Sequence, residues 1–220
     1  MNLTGTKIYI ASTKSLEDKA VFEKYYETVS DERKAKVDRL RFDRDKRLSL
    51  AAEILLKKAL EDYGIVEYEI SYSENGKPYF AGMPEVKFNL SHSEERVMCV
   101  LSDKETGCDV ERIKDVNLLV AKHFCTDTEY ALIQEKETKA EKEDVFFRLW
   151  TLKESFLKAT GLGMKLSMKD FYFNIEENGV TVYQKVNGEH YYFKEYALQD
   201  GYKYAVCSLN PEFSEIKRVF

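Results

Sequence analysis

Apolar and polar positions along the chain run through the same order twice. Lys7–Ser12 alternates with a period of two and predicts a strand. Leu16–Thr28 carries apolar residues at helical spacing. Ser30, followed by Asp31 and Glu32, predicts a helix start: a side-chain oxygen can accept from the free first-turn amides, and acids suit the positive end of the helix dipole. Another start at Asp43 leads into DRDKRLSLAAEILLKKALEDYG, a long helix expected to stop at Gly64, where a missing Cβ permits a left-handed turn. Tyr68–Tyr72, Val86–Leu90 and Arg96–Leu101 then read as strands. The second round opens on the alternating Gly107–Glu111. Helix patterns follow over Leu118–Lys122, Asp127–Lys136 and Glu143–Thr160, then strands over Phe171–Ile175, Val180–Lys185, Tyr191–Ala197 and Tyr202–Leu209. Strand, helices, strands, stated twice, predicts an α+β protein of two lobes, 1–104 and 105–220, with no long flexible linker. No motif repeats at the residue level. A crevice between the lobes is the expected place for a ligand.

Composition narrows the classes. Hydrophobic residues make up 44% of 220, enough for a real core and too many for wholesale disorder. With 34 basic against 39 acidic residues the net charge is −5, which argues against a general nucleic-acid binder. A basic run between Arg33 and Arg47 is the local exception. Cys99, Cys108, Cys125 and Cys207 are spaced neither as a zinc knuckle nor as a redox pair, so free thiols in a reducing cytosol are expected. The N-terminus, MNLTGTKIYIAS, lacks the apolar run of a signal peptide, and no stretch is long enough to span a membrane. A cytoplasmic protein without a membrane partner is the expectation.

Five segments could carry chemistry. In GCDVERI, Asp109 and Glu111 are two apart and share a face of a strand. Paired carboxylates repel unless a cation sits between them, and magnesium suits such oxygens; an acidic edge in water is the plainer reading. In FFRLWTLKESFLKATG, Phe147, Trp150, Glu154 and Lys158 fall three and four apart on one helix face, with Trp150 expected to anchor that face in the core. In VKFNLSHSEE a strand ends in Ser91-His92-Ser93, and a hydroxyl, an imidazole and loop amides can bind phosphate together. No Gly-x-Ser-x-Gly elbow surrounds Ser91, so a serine hydrolase is a poor fit. The fourth segment is the basic run, with Arg33, Lys34, Lys36, Arg39, Arg41, Arg44 and Lys46; most of these side chains are expected on a solvated helix face, yet such a run in an acidic protein invites an anionic partner. The fifth, NGKPYF, is a turn projecting Lys77.

Taken in order, DRDKRLSLAAEILLKKAL, NGKPYF, FNLSHS, GCDVE and WTLKESFLKATG resemble the 4′-phosphopantetheinyl transferases of the surfactin-synthetase-activating (Sfp) type, over roughly Ser30 to Asp170. Each piece alone is weak; G-x-D-x-E followed by W-x-x-K-E-x-x-x-K is specific as a set. The resemblance implies a monomer of two similar α+β lobes about a pseudo-twofold axis, with coenzyme A in the crevice between them. It implies Asp109, Glu111 and Glu154 as magnesium ligands and Lys158 against the phosphates. Ser91 and His92, with Arg33, Lys36 and Ser49, would hold the 3′-phosphate end of the nucleotide, and Lys77 would lie near the adenine or its phosphates. Cys108 stands where an aliphatic residue is commoner and should face away from the site. The implied reaction moves phosphopantetheine from coenzyme A to a serine of an apo acyl or peptidyl carrier protein and releases 3′,5′-ADP, with Glu111, Glu154 or a metal-bound water as general base. Lys158, four residues after Glu154, points into the same crevice and can pair with it when magnesium is absent. Val116–Tyr130, with Leu118, Leu119 and Phe124, is the expected apolar docking region for the carrier. The competing readings are a magnesium-dependent phosphohydrolase acting on a nucleotide pyrophosphate, for which the same acids would serve, and an inactive coenzyme A-binding module.

Overall fold

The computed structural model describes residues 3–176 and 179–220. Met1 and Asn2, part of the N-terminal stretch read above, lie outside the described residues. The first half of the chain runs β1 (Thr6–Ser12), a 3-10 turn (Thr13–Glu17), α1 (Lys19–Tyr26), α2 (Asp31–Arg39), α3 (Asp43–Glu61), β2 (Ile70–Tyr72), β3 (Pro78–Phe80), β4 (Lys87–Ser93) and β5 (Arg96–Ser102). The second runs β6 (Thr106–Arg112), a short turn and α4 (Ala121–Phe124), α5 (Asp127–Gln134), α6 (Lys139–Thr160), β7 (Tyr172–Glu176), β8 (Gly179–Tyr183), β9 (Tyr192–Glu195), β10 (Tyr202–Ser208) and β11 (Phe213–Arg218).

Local chemistry explains most boundaries. The single helix expected over Leu16–Thr28 is two pieces, because Asp18 accepts from the amides of Ala20 and Val21 and starts α1 afresh. Ser30 caps α2 as expected, accepting from the Arg33 amide. Asp43 is the first helical residue of α3 rather than its cap; the cap position is Phe42, which offers no side-chain bond. The last helix begins four residues earlier than its apolar pattern, because Thr138 and Glu141 close a capping box around its first turn. Two strands escaped the pattern. Pro78–Phe80 hides in a turn motif but pairs with β2. Phe213–Arg218 lies parallel to β1. That last strand, counted with the second lobe above, is therefore hydrogen-bonded into the sheet of the first half.

The main sheets are β11-β1-β5-β4 and β6-β10-β9, and they pack face to face. Ile8, Ile10, Met98 and Val100 of the first meet Cys108, Val110, Tyr204 and Val206 of the second, all buried. The outer face of the first sheet carries α3, with Leu50, Leu55 and Leu56 against Val97, Cys99 and Leu101. The outer face of the second carries α6, with Leu152 and Phe156 against Ala205 and Cys207. Burying each such leucine contributes about 1.5–3 kcal/mol. The order is helix, sheet, sheet, helix: an α+β fold with a seam between two sheets. All four cysteines are free and buried, and Cys108 faces the seam as expected. Among the described residues no helix is long and apolar enough to cross a membrane.

Candidate active site

The site is built where α6 crosses β6. Gly107, Asp109 and Glu111 share one side of β6, and that side faces α6. A Cβ on Gly107 would collide with the backbone nitrogen of Ala159 and the carbonyl of Ser155. Only glycine therefore lets the helix lie this close to the strand. The close approach brings Lys158 to Asp109: Nζ donates to Oδ1 at 2.7 Å and to Ser91 Oγ at 3.1 Å. Lys158 is 28% exposed and Asp109 only 4%. Glu154 is one partner open to Lys158 by spacing; the ion pair is with Asp109, because the strand rather than the helix's own preceding turn lies under the ammonium. Trp150 is half-buried rather than sealed in the core. It stands edge-on to Phe124, with ring centroids 5.0 Å apart, and lines the cleft.

Leu90, Ser91, His92, Asp109, Glu111, Trp150, Glu154 and Lys158 line one open cleft of about 320 Å³. A neighbouring cleft of about 550 Å³ shares Leu90, Glu154 and Lys158 and extends past Asn75, Gly76 and Lys77. The charges do not balance. Burial, and then the charge of Asp109, push the carboxyls of Glu111 and Glu154 above their ordinary value. Burial works against the Lys158 ammonium, but Asp109 holds its pKa above the usual lysine value. The buried Oδ2 of Asp109 has no hydrogen-bond partner among the described residues. Glu111 Oε2 accepts from Ser93 Oγ at 2.7 Å. The three acids do not form a ready-made cage, and no group of three metal-binding side chains is assembled among the described residues.

Ser91 and His92, expected together at the phosphate, both line the cleft but leave β4 on opposite faces. Ser91 is buried and its hydroxyl donates to Asp109 Oδ1 at 2.7 Å, whereas His92 projects from the other face of β4 and is exposed. His92 has its own company. Loss of water on its cleft side first, and then the ammonium groups of Lys158 and Lys36, hold its pKa below the ordinary imidazole value, although its outer edge is exposed. Arg33 and Ser49 meet directly, Nη1 donating to Oγ at 3.2 Å. Sequence reasoning missed Glu53, one helical turn beyond Ser49. Its carboxylate accepts from Arg33 Nε, from the Ser30 amide and from the Ser30 hydroxyl, and so sets the angle of the guanidinium. A buried acid in an otherwise apolar stretch, SLAAEILL, was the available signal.

Lys77 serves as a tie rather than a free cation. Its ammonium donates to Glu105 Oε2, to the Thr106 carbonyl and to the Ala159 carbonyl, at 2.7, 3.3 and 2.7 Å. Burial depresses its pKa, against the pull of Glu105. Phe124, expected on a docking surface, is 3% exposed and belongs to the core beneath α6, while Leu119 beside it is 58% exposed.

Comparison with known proteins identifies the family. Residues 105–207 match a family described as the 4′-phosphopantetheinyl transferase superfamily, and residues 17–104 match the family of 4′-phosphopantetheinyl transferase N-terminal regions. The chain is 32% identical to the 4′-phosphopantetheinyl transferase Sfp of Bacillus subtilis over 197 residues, 88% of each chain. It is 33% identical to the 4′-phosphopantetheinyl transferase gsp of Aneurinibacillus migulanus, over 87% of this chain and 81% of that one. It is 31% identical to the 4′-phosphopantetheinyl transferase psf-1 of Bacillus pumilus, over 95% and 92%. These relatives lend the phosphohydrolase reading no support. With this identity over nearly its whole length, the chain belongs to the Sfp-type 4′-phosphopantetheinyl transferases.

Proposed function

We propose that the cleft binds coenzyme A between the two halves of the chain and passes its phosphopantetheine arm to a serine of an apo acyl or peptidyl carrier protein. The observation that carries this is the unbalanced charge in the cleft: three carboxylates face one lysine, and Asp109 keeps a buried oxygen without a partner. A divalent cation answers that imbalance. Magnesium fits the donor set, since it is hard, takes carboxylate oxygens and keeps several waters. Asp109, Glu111 and Glu154 would hold it, where it would neutralise pyrophosphate charge and orient attack in line.

The protein's own groups do the rest. Lys158 places a positive charge against the pyrophosphate, where negative charge grows as the phosphorus–oxygen bond to the nucleotide breaks. The carrier serine hydroxyl attacks the phosphorus that bears pantetheine, and 3′,5′-ADP departs. Glu154, which makes no hydrogen bond among the described residues, is freer than Glu111 to take the serine proton, and its raised pKa suits a base. His92 and Lys36 receive the 3′-phosphate end, and Arg33, which lines a second cleft with Lys36 and donates to Ser49, extends that basic wall. Ser91 orients Asp109 rather than touching the nucleotide, and Lys77 braces the wall of the adjoining cleft.

Each half packs one long helix on the outer face of its sheet, which favours two lobes, about 1–104 and 105–208, related by a pseudo-twofold axis, with the final strand returning to the first. Four buried free thiols favour a reducing cytoplasm, and we propose a monomer that needs neither membrane nor nucleic acid. Coenzyme A, magnesium and a panel of apo carriers test the reading by mass spectrometry. A gain of one phosphopantetheine on a carrier is expected. Nucleotide release without a carrier, and no gain on any carrier, would overturn it.

A further inference from the structure

The FNLSHS and GCDVE motifs meet rung by rung. The second strand motif lies at the edge of its sheet, so its outward amides, on Cys108, Val110 and Arg112, have no strand beside them. Buried amides without partners cost about 1–3 kcal/mol each. Strand β4 supplies the partners from side chains at every second position. Asn89 Oδ1 accepts from Cys108 N–H at 3.0 Å, Ser91 Oγ from Val110 N–H at 3.3 Å, and Ser93 Oγ from Arg112 N–H at 3.2 Å. The period of two is shared, so the three rungs stay in step.

Each serine then passes a hydrogen bond onward. Ser91 Oγ donates to Asp109 Oδ1 and Ser93 Oγ donates to Glu111 Oε2, both at 2.7 Å. A hydroxyl has one proton, so once it is given to the carboxylate the amide takes up an oxygen lone pair. The arrangement orients both acids and also ties β4, from the first half, to β6, from the second. Asn89 stands at the rung of Gly107, where there is no acid to serve.

We propose that Asn89, Ser91 and Ser93 form a side-chain ladder that sets the register of the two halves, and that Ser93 is the positioning residue for Glu111. Its catalytic consequence rests on the transferase reading above. The same chemistry recommends Ser93 over Ser91 for a test, because Ser91 also receives a bond from Lys158.

The experiment compares the full chain with Ser93→Ala, Ser93→Thr and Asn89→Ala. Misplacing a reacting group by about 1 Å costs on the order of 10²-fold in rate, and losing a group that orients a metal ligand costs about 10–100-fold in affinity. Ser93→Ala should lower kcat about 10–100-fold, leave KM for coenzyme A within about twofold, and weaken Mn2+ binding, read by electron paramagnetic resonance, about tenfold. It should also speed hydrogen exchange at the Arg112 amide. Ser93→Thr keeps the hydroxyl and should restore most of each. Asn89→Ala should speed exchange at Cys108 while changing Mn2+ affinity less than threefold, which is about 0.65 kcal/mol. Unchanged Arg112 exchange in Ser93→Ala overturns the ladder, whatever the enzyme does. Unchanged kcat and Mn2+ affinity, or a change confined to KM, overturns the positioning role. If Ser93→Ala does not fold, Ser93→Cys, a weak donor of similar shape, is read by the same criteria. Failure of the wild-type chain to modify any carrier would sink the transferase reading instead, leaving the exchange result to decide the ladder.

Discussion

Helix α6 carries two lysine–carboxylate pairs five residues apart, and they differ in almost everything but composition. Five residues turn a helix by about 140° beyond a full turn, so Lys153 and Lys158 leave it on different sides. Lys153 is 0% exposed and its partner Glu129 1%. Its ammonium donates to Glu129 Oε2 and to the carbonyls of Met168 and Phe171, and lies 4.6 Å from the Phe171 ring centroid. Glu129 in turn accepts from the Thr126 amide and hydroxyl and from the Phe173 amide. That network is closed: it locks α5, α6 and the chain entering β7 into one block. The pair of Lys158 with Asp109 is open. One aspartate oxygen has no partner, Glu154 makes no hydrogen bond among the described residues, and the acids outnumber the lysine. A saturated buried pair has nothing left to offer a ligand, whereas an unsaturated one at a cleft holds its remaining capacity for one.

The contrast is broken most sharply from the open side. Asp109→Ala and Glu154→Ala should each lower transfer by about 10³-fold, the upper scale for losing a preorganised charge-stabilising group, while circular dichroism stays native. Near-normal turnover in either variant at modest magnesium would remove both residues from the metal assignment. From the closed side, Lys153→Met leaves Glu129 buried without its counter-charge and should cost about 3–5 kcal/mol in urea unfolding. Adding Glu129→Gln, which removes the charge but keeps an acceptor for the Phe173 and Thr126 amides, should recover part of that loss; a Lys153→Met chain as stable as wild type would show that the pair is not closed.

Lys158→Ala should act on rate. The charge it meets is greatest in the transition state, so kcat should fall about 10²-fold and KM for coenzyme A should rise far less. Lys158→Arg should rescue only part, since a planar guanidinium differs in shape and reach. Steady-state kinetics on an apo carrier would decide, and an effect on KM alone would make Lys158 a binding group. The smallest effect belongs to His92. His92→Ala should raise KM for coenzyme A about tenfold and spare kcat, with dephospho-coenzyme A nearly insensitive. The pH dependence has a definite sign. The free imidazole sits below its ordinary pKa, and a phosphate dianion would raise it, so binding takes up a proton. Affinity for coenzyme A should therefore strengthen as pH falls from about 8 and level off below the depressed free-state pKa. A pH-independent KM, or the same slope in His92→Ala, would place the phosphate elsewhere.

Much of this was legible in the residues because the relevant patterns are local. Spacing of two put Asp109 and Glu111 on one face, and spacing of four put Glu154 and Lys158 on another. The Ser30 start, the Gly107–Glu111 strand and the long α3 stand close to where periodicity placed them. What was not legible depended on other layers. Leu16–Thr28 looked continuous because apolar spacing does not register Asp18 as a cap. The β11 strand has a weak pattern of its own and is a strand because β1 offers it an edge. Phe124 reads as a docking aromatic until Phe146 and Trp150 cover it.

The sequence by itself determined the family, the α+β order and which side chains share a face, since helix and strand periods are properties of the backbone and need no distant partner. Only the tertiary structure decided what each face meets. Lys158 could have paired with Glu154 and instead pairs with Asp109, because Gly107 lets α6 settle onto β6. Ser91 lines the same cleft as His92 but gives its hydroxyl proton to Asp109, because the inner side of β4 is closed by the edge of β6. Lys77 could have stood free and instead ties Glu105 to α6. In each case the energy of a charge or hydroxyl depends on burial and on a partner brought from far along the chain, which no short-range pattern records.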